Sequence, residues 1–228
     1  MIVSIEAVLL AALGLLGAAP ARTHPVTTDP VATEPVAPIE PTARALPGQA
    51  LIAELARRLF AELELHRPAL ARDPQVVVLL VDPLLAPHFD ASYTARLALG
   101  AHWRTASEEQ QRRFAVALYR TLLRTYAEAI ADWAPDRFRL LPHADDAAAL
   151  QVLVRTEVSQ RSGVVAHVDY RLRSTAEGWK IFDVLVDGVS YVHSYHTDLD
   201  AEVATTGLEA AIVRLEHRDG GKRRPAPR

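Results

Sequence analysis

The apolar residues of this chain change their spacing twice. From Leu51 to Ala129 they recur every three to four positions, from Phe138 to Leu172 every second position, and after Ser190 the longer spacing returns. The longer period belongs to helices with one buried face, and the shorter to strands with one buried face. The order is therefore helices, then strands, then helices. It predicts an α+β fold: an antiparallel sheet of about four strands with several helices packed on one face.

Local signals place the elements. Leu51, Leu55, Leu59 and Leu63 predict a helix that ends before Pro68. Tyr93 to Leu99 reads as a short helix closed by Gly100. Ser107 and Gln110 form a capping-box pair that opens a helix burying Phe114, Ala117, Leu118, Leu122, Tyr126 and Ala129. Its other face carries Arg112, Arg113, Arg120 and Arg124, expected to be solvated. Val76 to Val81 reads two ways: its β-branching favours a strand, while Asp73-Pro74 ahead of it favours a helix start. In the strand region Val152, Val154, Thr156 and Val158 alternate with polar neighbours, as do Val164, Ala166, Val168, Tyr170 and Leu172. Arg161-Ser162-Gly163 and Ala176-Glu177-Gly178 read as turns between strands. Trp179 to Val186 is apolar on both faces, which predicts a central strand. Final helices are expected over Ser190–Thr205 and Gly207–His217.

The ends differ from the middle. Ala7 to Ala19 is an apolar run too short to span a bilayer comfortably, followed by Ala19-Pro20-Ala21. This predicts a signal peptide over 1–21 and a mature, exported chain beginning at Arg22. The segment before the run has no Lys or Arg and carries Glu6, so an uncleaved anchor helix is the competing reading. Six prolines over 22–47 predict an extended linker. The ordered domain is expected over 48–217, and residues 218–228 read as a basic tail.

Composition narrows the chemistry. Lys and Arg total 25 against 28 Asp and Glu, a formal charge of −3, which gives no case for nucleic-acid binding. The absence of cysteine excludes a disulfide, a lipoprotein anchor and a thiolate metal site. His193, His196 and Asp200 share one helix face and form the best metal candidate, yet they lack a recognised ligand motif, and a surface role is the stronger reading. His88 and Asp90 flank Phe89 and point apart on a helix. Asp187 before Gly188 reads as a turn residue, and Asp183 as a buried, hydrogen-bonded acid. No nucleophile motif, phosphate loop or dinucleotide fingerprint occurs. The sequence makes no positive case for an enzyme, a cofactor or a metal.

Several short motifs, taken together, resemble the MlaC family, also known as toluene-tolerance auxiliary proteins. They are Phe89-Asp90; Leu99-Gly100-x-x-Trp103-Arg104 with Thr105-Ala106; Gln110-Gln111 leading to Arg113-Phe114; Trp179-Lys180-x-x-Asp183-Val184-x-x-Asp187-Gly188-Val189-Ser190; and Gly207-Leu208. They run in order through residues 48 to 217. The resemblance implies a curved sheet that encloses an apolar cavity with the helices, and a helix over Val76–Val81 broken near Pro83 and Pro87. It also implies a monomeric carrier in the periplasm of a Gram-negative cell, binding phospholipid by its acyl chains. Such a carrier exchanges lipid between an outer-membrane lipoprotein complex and an inner-membrane ABC transporter complex, maintaining outer-membrane lipid asymmetry. Its expected lining is Val154, Val168, Tyr170, Phe182 and Val184 from the sheet. Leu85, Phe89, Tyr93, Leu97, Phe114, Leu118, Leu122, Tyr126, Val189 and Val192 come from helices and turns. A hopanoid or another lipid is an alternative cargo. A small cone-shaped isomerase or hydrolase is the alternative function, but the inward alternation supplies almost no polar group for chemistry.

Overall fold

The computed structural model describes residues 47–142, 149–159 and 163–218, and all of them belong to one compact unit, Ala45–Arg228. The expected export signal, the linker up to residue 46, the tail beyond 218 and Arg161-Ser162 lie outside the described residues.

Among the described residues, eight α-helices and five strands follow in order. Helix α1 (Pro47–Leu65) buries Ile52, Leu55, Leu59 and Leu63, the stripe that its spacing demands. A short α2 (Arg67–Leu70) leads to α3 (Val76–Leu85). The valine run is thus helical, with Val77 and Val81 buried. Asp73 does not cap it. Its Oδ1 accepts from the Gln75 N–H at 2.9 Å and shapes the turn ahead of the helix instead. Pro83 does not break α3 either. It sits two residues from the end, removes one backbone hydrogen bond, and the chain continues into a 3-10 turn at Ala86–His88.

Helix α4 (Ala91–Leu99) is capped by Asp90, whose Oδ1 accepts from the Tyr93 N–H at 3.0 Å. It stops at Gly100, where φ is 54° and ψ −120°. Any β-carbon there would also lie 2.6 Å from His196 Cε1. A 3-10 turn (Gly100–Arg104) then reaches α5 (Glu108–Thr125), which opens with the expected Ser107–Gln110 capping box. Helix α6 (Ala127–Ala131) ends the first helical block. One expected solvated arginine on α5 has a different task. Arg113 bonds Glu209 at 2.6 Å and Glu216 at 2.7 Å, fixing the C-terminal helix onto α5.

The sheet runs β1 (Phe138–Leu140), β2 (Gln151–Ser159), β3 (Val165–Thr175), β4 (Gly178–Val186) and β5 (Val189–Ser190). Every pair is antiparallel and spatial order equals chain order. Central position therefore falls to β3, not β4. β4 is apolar on both sides because α4 and α7 cover it near the sheet edge. Asp187 (φ 48°) and Gly188 (φ 81°) make the two-residue turn into β5, the left-handed pair such a hairpin requires. Beyond β5 the free edge of β4 is closed by the Phe89 segment. Phe89 bridges Ile181, the Asp90 N–H donates to the Ile181 carbonyl at 2.7 Å, and the Thr94 hydroxyl donates to that of Phe182 at 2.8 Å.

Helix α7 (Tyr191–Thr206) is capped by Ser190, and α8 (Leu208–Arg218) follows Gly207. Helix α1 lies on the buried face of the sheet. Gly48 lets its first turn touch there, since an added β-carbon would stand 2.7 Å from Val152 Cγ2. Helices α4, α5, α7 and α8 pack together beside it. Among the described residues, no helix is long and apolar enough to cross a membrane.

Candidate functional site

The register sorts the sheet side chains into rows. On the inward face Val152 pairs with Leu172 and then Ile181, Val154 with Tyr170 and then Val184, and Thr156 with Val168, Val186 and Val189. The opposite face carries Arg155, His167, Arg171 and Arg173, as strand alternation requires.

Exposure rises along these rows in one direction. Val152, Leu172 and Ile181 are all buried. In the next row Val154 is buried, whereas Tyr170 and Val184 keep part of their surface accessible. In the last row accessibility climbs from Thr156 at 0 % and Val168 at 7 % through a half-buried Val186 to Val189 at 46 %. The inward face is thus a valine-rich ramp, closed at β2 and open at β5. Its one hydroxyl on a short side chain is satisfied: Thr156 Oγ1 donates to the Val168 carbonyl at 2.5 Å.

Tyr170 combines two properties. It is surrounded deeply enough that burial pushes its phenol well above the ordinary range, with Asp169 adding in the same direction and a bond to Thr156 opposing. It nevertheless keeps accessible surface. Tyr126, after α5, behaves similarly: burial first, then Tyr195 and Asp183, raise its phenol, yet it is only half-buried. Tyr119 on α5 is buried against Phe89, with ring centroids 5.1 Å apart. Burial and then the negative field of Asp82 push its phenol up.

The expected lining residues separate into groups. Val154, Val168, Tyr170 and Val184 are contiguous on the ramp. Phe114, Leu118, Leu122 and Val192 are buried in the helices, Phe89 is buried at the sheet edge, and Leu85, Leu97 and Tyr126 are half-buried. Tyr93 and Phe182 form a cluster of their own. The bulge between Arg171 and Leu172 takes Phe182 out of the paired register, and its ring meets Tyr93 edge-on at 5.2 Å. The guanidiniums of Arg173 and Arg96 stand over that same tyrosine ring, 4.3 and 4.9 Å from its centre. Val189 stands exposed at the lip and not in the interior. Val186 and Thr156 belong to the ramp and were missed, although continuing the alternation by one step from Val184 and Val154 reaches both.

Polar candidates resolve into structural roles. His196 Nδ1 lies 3.1 Å from the Ala98 carbonyl and Asp200 Oδ1 lies 3.0 Å from His102 Nε2, so these groups tie α7 to the α4 end rather than converging with His193. Asp90 caps α4 and pairs with Arg173 at 2.7 Å. Asp183 is buried and accepts from Val192 N–H, Ser190 Oγ and Arg171 Nη1. Two surface hollows lie away from the ramp. One, about 580 Å³, is bordered by Asp90, Ser92, Arg173, Glu177 and Lys180. The other, about 530 Å³, is bordered by Arg96, Gly100, Ala101, Trp103 and Arg104.

Comparison with known proteins gives a consistent outcome. Residues 53–217 match the family model described as MlaC protein. The intermembrane phospholipid transport system binding protein MlaC of Haemophilus influenzae is 19% identical over 169 residues, 73% of this chain and 79% of that protein. The toluene tolerance protein ttg2D of Pseudomonas putida is 25% identical over 134 residues, 58% of this chain and 61% of that one. Among solved structures, a phospholipid-binding protein from Ralstonia solanacearum, in complex with a phospholipid, superimposes with a TM-score of 0.69. It is 26% identical, and the match covers 75% of this chain and 96% of that one.

Proposed function

This chain belongs to the MlaC family, and from that premise we propose that it is a phospholipid carrier whose acyl chains lie along the valine ramp. The observation that carries the reading is the graded exposure from Thr156 to Val189, on a face that presents mostly hydrocarbon and whose Thr156 hydroxyl is satisfied. Each methylene moved from water onto such a surface gains about 0.8 kcal/mol, so two acyl chains are held without any charged ligand. The open lip at Val186 and Val189 is where tails enter, with the head group left near water. The neighbour from Ralstonia solanacearum, solved with a phospholipid, supports the same ligand class.

The lining is Val154, Val168, Tyr170, Val184 and Val186, joined from the helices by Leu85, Leu97 and Tyr126. Phe114, Leu118, Leu122 and Val192 back it. The protein acts as a monomeric binding protein rather than an enzyme. It works in the periplasm after removal of residues 1–21, with the ordered domain beginning near Gly48. It shuttles lipid between an outer-membrane lipoprotein complex and an inner-membrane ABC transporter complex, which maintains outer-membrane asymmetry.

Native mass spectrometry of protein purified from the exported fraction tests this, with organic extraction of whatever is bound. A phospholipid at one per chain is expected. Protein that stays empty after incubation with phospholipid vesicles overturns the reading, and a bound sterol-like lipid would redirect it to a hopanoid cargo.

A further inference from the structure

The hollow of about 530 Å³ at the end of α4 is bordered by two arginines. Its two cations, Arg96 and Arg104, are exposed, and neither has a carboxylate partner among the described residues. In the neighbouring hollow the cations are matched: Arg173 pairs with Asp90 at 2.7 Å and Lys180 with Glu177 at 3.3 Å. The difference matters in a chain of formal charge −3.

The site is also braced. Arg96 is held by the Tyr93 ring, 4.9 Å from its guanidinium carbon. The floor is the Gly100–Ala101 turn, seated against His196, whose Nδ1 faces the Ala98 carbonyl. The Trp103 carbonyl accepts from Gln111 Nε2 at 2.9 Å, which fixes the indole's backbone. Two forked donors and an indole around a fixed concavity suit a carboxylate-bearing chain: bidentate pairing to the arginines, and packing against the ring.

We propose that this hollow receives an acidic segment of a partner protein. A protruding peptide fits the site better than an anionic bilayer. The site is a concavity that a protruding group can enter, and Asp200, 66% exposed and bonded to His102 of the same turn, would be pressed against the head groups of a flat anionic surface. The inference stands apart from the lipid reading, since no ramp residue takes part.

The test uses the full chain, isotopically labelled, with hexaglutamate as the probe at low salt. Amide shifts confined to the Arg96–Arg104 region are expected, and binding should weaken as salt is added. The Arg96→Gln/Arg104→Gln variant should bind roughly tenfold or more weakly, the loss of two charge-assisted contacts. Arg120→Gln, an exposed arginine elsewhere on α5, should bind as the unaltered protein does. Equal binding by the double variant, or shifts centred elsewhere, overturns the proposal. So does an Arg96- and Arg104-dependent association with phosphatidylglycerol vesicles, or with inorganic phosphate, when hexaglutamate is silent.

Discussion

The Oδ1 atom of Asp183 accepts the backbone N–H of Val192 at 3.1 Å, so a carboxylate on β4 caps the first turn of α7. Its other oxygen takes the Ser190 hydroxyl at 2.7 Å and Arg171 at 3.2 Å. Strand, turn and helix are thereby locked at one buried point. Asp183→Ala leaves those donors without an acceptor and should cost about 2–4 kcal/mol. Ser190→Ala, which removes the ordinary cap, should cost about 1 kcal/mol. Urea unfolding of both variants checks the order, and equal losses would mean that Asp183 is not the organising group.

The inward face of the sheet makes opposite demands at two of its valines. Val158, buried beside β1, has no room to grow, so Val158→Trp should overpack and lose roughly 1–3 kcal/mol or more. Val184 keeps accessible surface, so in delipidated protein Val184→Trp should change stability little while displacing a fluorescent phospholipid. Thermal unfolding and probe displacement are measured together. A badly destabilised Val184→Trp, or a stable one with normal lipid uptake, would argue that no recess exists there.

Gly100 is constrained twice, by a backbone conformation that side chains rarely adopt and by contact with His196. Gly100→Ala should destabilise by about 1–3 kcal/mol. Adding His196→Ala should recover only the steric part. A double-mutant cycle measures the coupling, and a value of zero would show that the helices simply move apart.

Arg113 sets a pH dependence. Its hydrogen bonds hold the Glu216 and Glu209 carboxyls below the usual glutamate range. Carboxylates depressed in the folded state stabilise it above their unfolded values and lose that contribution as pH falls through the folded ones. Hydrogen exchange in α8 should therefore accelerate as pH drops below the ordinary glutamate range, after correction for intrinsic rates. Arg113→Ala should exchange faster at neutral pH and show a flatter acid response. Parallel curves for the two proteins would remove Arg113 from the account.

The sequence made local structure plain and long-range pairing obscure. The capping box at Ser107, the Asp187-Gly188 turn and the valine alternation of β2 and β3 are short-range patterns, and each appears where expected. The role of Arg113 was hidden because its partners lie 96 and 103 residues later. The facing of Phe182 was obscure for a different reason. β4 is apolar on both faces, so alternation carries no register there, and the bulge opposite Arg171 is invisible without the partner strand. Asp183 was legible as a buried acid, but not as the cap of a helix that begins eight residues on.

The Phe89 segment that closes the edge of β4 is made long before the strand it covers. Thr94 and Phe182, which share a hydrogen bond, are 88 residues apart. A chain synthesised from its N-terminus therefore has the guard in place when the strand emerges. The two-residue β5 shields only Leu185 and Val186, and the rest of that edge would otherwise offer bare carbonyls to any passing strand. Misfolding by strand addition between copies should accordingly begin when Phe89 and Thr94 let go, even with the sheet itself intact.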